Sequence, residues 1–141
     1  MKGRAEGAQA QQRGGTFTGA VWGDPLMPPS DGVMMNTVYF SPGARTYWHR
    51  HEGGQVIHVT SGQGWVVERG GSAARVRNGD TVWAPPGEEH WHGAAADAFM
   101  VHVAVSMGQT EWLEEVSSQD FQEAAEAYAR SADGKTAGPE S

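Results

Sequence analysis

The sequence predicts an all-β domain, a sandwich or barrel of short antiparallel strands with one C-terminal helix. Twenty glycines and seven prolines in 141 residues interrupt the chain too often for a helix bundle. Between these breaks lie short β-prone runs separated by turn signals, the pattern of a compact antiparallel fold. Only near the C-terminus does the apolar spacing become helical. The length suits one hydrophobic core, so any active site lies within this unit or between copies of it.

Residues 1–15, rich in Gln, Gly and Ala without periodicity, read as a disordered tail, and residues 131–141 read as a second one. The barrel is assigned to residues 16–116. Val33 to Phe40 is the first clear strand, stopped by Ser41-Pro42-Gly43. Arg45 to Arg50 continues extended. Gln55 to Thr60 forms a strand that Ser61-Gly62-Gln63-Gly64 closes before Trp65 to Arg69 returns. Gly70-Gly71 makes the next hairpin. Ala73 to Arg77 precedes Asn78-Gly79-Asp80, a hairpin signal because Asn-Gly tolerates the positive φ of tight turns. Thr81 to Ala84 runs into Pro85-Pro86-Gly87, and the last strands are His90 to Gly93 and Ala98 to Val105. Ser117 or Ser118 caps a helix over 117–130, with Phe121, Ala124, Ala125 and Tyr128 on one face.

A formal charge of −7, with ten Lys and Arg in no cluster, argues against nucleic acid and anionic membranes as partners. The longest apolar stretch, Ala98 to Val105, is too short to span a bilayer and contains His102. The chain has no cysteine, which excludes thiolate metal sites and fits a reducing compartment, so a soluble cytoplasmic protein is expected. No Gly-x-Ser-x-Gly elbow is present, which argues against the common covalent hydrolases. The six histidines therefore carry the chemistry.

His49 and His51 stand two apart in an extended segment, so both imidazoles share one face. Gln55 follows the Glu52-Gly53-Gly54 turn, and His90 lies just beyond a proline-glycine turn. Only a closed β structure brings these four side chains to one point. Gly43, His49, His51, Gln55 and Gly62 in that spacing resemble the first cupin motif, and Gly79, Pro85, Gly87 and His90 resemble the second. The resemblance covers roughly Val33 to Val105 and implies a cupin jelly-roll barrel whose metal ligands are His49, His51, Gln55 and His90. It says little about the reaction, because this fold hosts many chemistries.

Two positions depart from the usual cupin pattern. Gln55 stands where glutamate is common, and Ala94 stands where asparagine is common. A neutral amide oxygen leaves a bound divalent ion its full charge and makes it a stronger Lewis acid. Three nitrogens and one oxygen leave two octahedral positions open, which suits Mn²⁺ or Fe²⁺, one ion per chain.

Pro42-Gly43-Ala44-Arg45-Thr46, the run Gly87 to Ala95 and the later His102 are similar to the manganese-dependent bacterial cupin hydroxynitrile lyases. That resemblance implies cleavage of a cyanohydrin to aldehyde and hydrogen cyanide, with His92 and His102 lining the pocket. Strand alternation independently puts His92 on the face of His90, and sets His102 in step with Met100 and Ala104. An unligated imidazole there can carry protons near neutral pH. Val38, Phe40, Trp83 and Met100 are expected as the apolar wall for a small-molecule substrate. His58 falls on the opposite face. Two other readings share the same open positions: an Mn- or Fe-dependent dioxygenase or oxidase, separated from a lyase by dependence on oxygen, and a metabolite-binding protein without turnover. A homodimer or homotetramer is expected, with Phe17 to Leu26 available to a partner subunit.

Overall fold

A computed structural model describes residues 10–131 of the chain. Most of both expected tails, and the side chain of Tyr128, lie outside the described residues. In chain order the elements are β1 (Gln11–Arg13), β2 (Phe17–Thr18), β3 (Val21–Ser30), β4 (Val33–Phe40), β5 (Arg45–Thr46) and β6 (His49–His51). They continue as β7 (Gln55–Glu68), β8 (Ala73–Arg77), β9 (Thr81–Ala84), β10 (His90–Ala94), β11 (Met100–Met107), β12 (Thr110–Trp112) and α1 (Ser118–Ser131). Every pairing is antiparallel.

The strands form a jelly-roll barrel of two layers. One layer is β1-β3-β4-β11-β7-β9 and the other is β8-β7-β10-β5-β2, with β6 joining β10 to β12. Strand β7 belongs to both layers. The sequence places a chain reversal at Ser61-Gly62-Gln63-Gly64, but the strand continues through it. Val101 pairs Ser61 while His102 pairs Val59, so Thr60 is an extra residue that bends the strand from one layer into the other. Gly62 takes φ 78°, and a side chain there would collide with the Phe99 carbonyl. The glycines thus permit a bend and a close approach rather than a turn.

Asn78-Gly79 makes a tight turn, with Gly79 at φ 96° and the Asp80 amide donating 2.9 Å to the Arg77 carbonyl. It does not build a hairpin of its flanking strands. Strand β8 pairs Gln63 to Val67, and β9 pairs Gln55 to His58, so the turn hands the chain from one half of β7 to the other.

Four strands, β1, β2, β3 and β12, escaped the sequence reading. Gln11–Arg13, inside the stretch expected to be a tail, pairs with Val21 to Gly23. Backbone hydrogen bonding holds this segment although its composition carries no strand pattern. Strand β3 contains Pro25, Pro28 and Pro29, which sit beyond the residues that β1 covers. A strand edge tolerates prolines because no neighbour there needs their missing N–H.

The principal core lies between the layers, where Val21, Phe40, Ile57, Val59 and Met100 from the first meet Ala44, Val66, Val76 and Ala94 from the second. A second cluster lies outside the second layer. There Trp48, Trp65, Trp91, Ala95 and Val116 pack with Phe121, Ala124 and Ala125 of α1. Ser117 caps that helix by accepting 3.0 Å from the Asp120 amide. Among the described residues no helix is long and apolar enough to cross a membrane.

Candidate metal centre and adjoining cleft

His49 and His51 project from β6, Gln55 from the start of β7 and His90 from the start of β10, and all four are buried. The register explains the convergence. His90 lies opposite His49 in the β10–β6 pair, and the Glu52-Gly53-Gly54 turn carries β6 into β7. Gly53 and Gly54 have no room for side chains, which would meet Met107 and Trp83.

Three of the donor atoms, one each from His49, His51 and His90, lie within 4.8 Å of one another. The Nδ1 of His49 donates 2.8 Å to the Tyr47 carbonyl, and the Nδ1 of His90 donates 3.2 Å to the Glu88 carbonyl. Carbonyls only accept, so Nδ1 keeps the proton and Nε2 keeps the lone pair in both rings. His51 Nδ1 lies 2.9 Å from Thr110 Oγ1, a hydroxyl able to accept its proton and leave Nε2 with the lone pair.

Gln55 completes the set. Its amide nitrogen donates 3.0 Å to Ser106 Oγ, which turns Oε1 inward to 3.0 Å from His90 Nε2. Two lone-pair atoms then face each other, while the buried His51 Nε2 has no hydrogen-bond partner. A cation among these atoms relieves the repulsion and satisfies His51. Neutral imidazoles and an amide oxygen are suitable donors for a divalent transition ion, so the residues fit a metal.

His92 and His102 sit beside the donor set. His92 follows His90 by two residues on β10, and its ring lies 5.1 Å from that of His49 and 5.6 Å from that of His90. His102 Nε2 and His92 Nδ1 are 3.0 Å apart and share one proton. His92 Nε2 and His102 Nδ1 are buried without hydrogen-bond partners. Burial pushes His102 down to about 4. It also holds His92 well below the usual imidazole range, with the neighbouring His102 adding to the effect. Both rings are therefore neutral at pH 7.

The expected apolar wall divides three ways. Val38 pairs with His102 across β4 and β11 and lines an open cleft of about 430 Å³. Phe40 and Met100 lie deeper, in the closed core, with the Phe40 ring 5.1 Å from that of His102. Trp83 is a correction: it is 53% exposed on the outer face, paired with Val56. Alternation along β9 aims its neighbours Val82 and Ala84 along the Ile57 and Gln55 face instead, so a parity error of one residue moved Trp83 to the wrong side. His58 is exposed and bonded to Thr81 at 2.7 Å.

Sequence reasoning missed several contributors. Ser106 continues the Met100, His102, Ala104 alternation by one step and was legible from it. Thr110 and Trp112 carried no such signal. Trp112 lies opposite His49 in the β12–β6 pair, and its ring stands 4.7 Å from the imidazole. Asn36 and Arg13 also line the cleft.

A closed β-barrel with three imidazoles and an amide oxygen converging on its inner face defines a small barrel protein able to hold a metal ion. Residues 36–106 match the family model described as Cupin domain, and the chain belongs to the cupin family. It is 41% identical over 123 residues to an (R)-mandelonitrile lyase of Granulicella tundricola, covering 82% of this chain and 94% of that protein. Among solved structures it is similar to a cupin-like protein from Thermotoga maritima, at 38% identity and TM-score 0.79, over 86% of this chain and 98% of that one. A polyketide cyclase from Streptomyces resistomycificus shares the fold at 18% identity and TM-score 0.66, over 86% of this chain and 92% of that one.

Proposed function

We propose that this cupin is a metal-dependent hydroxynitrile lyase, which cleaves a small aryl cyanohydrin to aldehyde and hydrogen cyanide. The observation that carries the reading is the neutral His92–His102 pair in ring contact with the metal-donor set. The 41% identity to a protein named (R)-mandelonitrile lyase supports it.

A divalent ion, Mn²⁺ by preference and Fe²⁺ second, held by His49, His51, Gln55 and His90, supplies Lewis acidity toward the substrate hydroxyl. The amide of Gln55 adds no negative charge, which keeps that acidity high. The His92–His102 pair takes the hydroxyl proton. As the carbon–nitrile bond breaks, its electron pair leaves with cyanide and the carbonyl forms. The histidine pair then returns the proton to cyanide, so the reaction needs no oxidant or reductant.

The outer face of the first layer supports pairing of two copies. Tyr39, Val56, Trp83, Val101, Val103 and Val105 make much of it apolar and leave it half-buried or exposed, with Asp24, His58 and three threonines, Thr37, Thr60 and Thr81, as polar groups among them. A homodimer, or a tetramer built from it, is part of the proposal and is read by light scattering. A cytoplasmic site of action accords with the absence of cysteine.

The test is benzaldehyde release from mandelonitrile without oxygen, at mildly acidic pH, by Mn²⁺-loaded protein against metal-free protein. Release that requires the metal supports the lyase. Lack of release by metal-loaded protein rejects it and directs the search to oxygen-dependent chemistry.

A further inference from the structure

The cleft beside the metal centre is not uniformly apolar. Phe17, Met27, Met34, Val38 and Trp112 give it an apolar lining, and the guanidinium of Arg13 lies in its wall. Arg13 is registered opposite the inward-facing Val21, and its side chain extends across Gly23. A Cβ on Gly23 would collide with that guanidinium, so the glycine makes the space the arginine occupies. No carboxylate among the described residues forms an ion pair with Arg13. Among the described residues, then, a positive charge lies in an apolar cleft with no carboxylate paired to it, in a chain whose net charge is −7.

The register sets this charge relative to the chemistry. Gly23, Val38 and His102 form one inward-facing row across β3, β4 and β11. Two strand spacings put Gly23 roughly 10 Å from His102. A para-substituted benzene ring bridges a gap of that order, with one substituent at the histidine pair and the other at the guanidinium. Guanidinium is a strong partner for carboxylate because it offers paired N–H donors as well as charge.

We infer that the cleft selects aryl substrates that bear a carboxylate at the end remote from the metal centre, with Arg13 as its anchor. The assignment of the reacting end rests on the lyase reading, whereas the carboxylate anchor stands on the cleft alone.

The test uses the full chain loaded with Mn²⁺ and has two arms. Calorimetry compares 4-formylbenzoate with benzaldehyde, and kinetics compare the cyanohydrins of the same two aldehydes by kcat/KM. Wild-type protein favours the carboxylated member about tenfold, the scale of one hydrogen-bonded charge pair. Arg13→Gln and Gly23→Ala bring the ratio close to one, and Arg13→Lys retains part of it. The preference also shrinks with added salt in the wild-type protein, a readout that needs no variant to fold. A wild-type ratio near one overturns the inference. So does tight 4-formylbenzoate binding that Arg13→Gln leaves unchanged, because the carboxylate then sits on the metal. If mandelonitrile is turned over without carboxylate preference, the lyase stands and the anchor falls. If neither cyanohydrin is turned over, the lyase falls and calorimetry alone decides the anchor.

Discussion

Ser106 holds Gln55 by its amide nitrogen: the 3.0 Å hydrogen bond between them, buried at the β7–β11 seam, anchors the side chain with its oxygen toward the metal centre. An amide has one donor end and one acceptor end, and only the oxygen can ligate. Ser106→Ala frees the amide to rotate and lowers metal affinity by about tenfold, the lower end of what loss of a ligand's hydrogen-bond partner costs. Ser106→Thr keeps the hydroxyl and most of the affinity. Competition against a chromogenic chelator measures both, and equal affinities for wild type and Ser106→Ala would show that the hydroxyl does not orient the ligand.

Gln55→Glu replaces a neutral ligand with an anionic one in the same position. The carboxylate binds a divalent ion more tightly but neutralises part of its charge, so lyase kcat drops on the order of tenfold while metal affinity rises. Affinity and rate moving together, in either direction, would contradict the Lewis-acid role.

His102→Gln and His92→Gln each break the shared-proton pair and leave the four donors in place. Loss of one proton carrier lowers kcat by about 10² to 10⁴, with metal content unchanged by atomic absorption. A variant that keeps its metal and its full rate removes that histidine from the mechanism.

Stability of the metal-free protein depends on pH with a defined sign. Burial pushes His51, His90 and His102 from the usual 6.5 down to about 4. It also holds His49 and His92 well below 6.5. As pH falls below 6.5 the unfolded chain takes up protons that the folded chain refuses until near 4. Stability is therefore complete above 6.5 and is lost progressively through that window, by about 1.4 kcal/mol per pH unit for each such imidazole. Urea midpoints of metal-free protein at pH 7.5, 6 and 5 should fall steadily, and a flat series would mean that the histidines are solvated.

Strand alternation made His49, His51, His90, His92 and His102 legible in the sequence, because side chains two apart share a face whatever the fold does next. The same rule failed for Trp83, where no local signal fixed which parity of β9 faces inward. It also failed for Ser61-Gly62-Gln63-Gly64, since glycine serves a turn, a bulge and a close strand approach equally well, and only the neighbouring Phe99 carbonyl distinguishes them.

The sequence by itself determined the all-β class, the C-terminal helix with a serine at its start, and the kinds of donor available to a metal. Those depend on residue type and short-range spacing. Tertiary structure alone decided that β7 serves both layers, that Ser106 and Thr110 orient their ligands, and that Arg13 reaches back over Gly23 into the cleft. Each of these joins residues far apart in the chain, and their meeting is set by strand register, which no local pattern encodes.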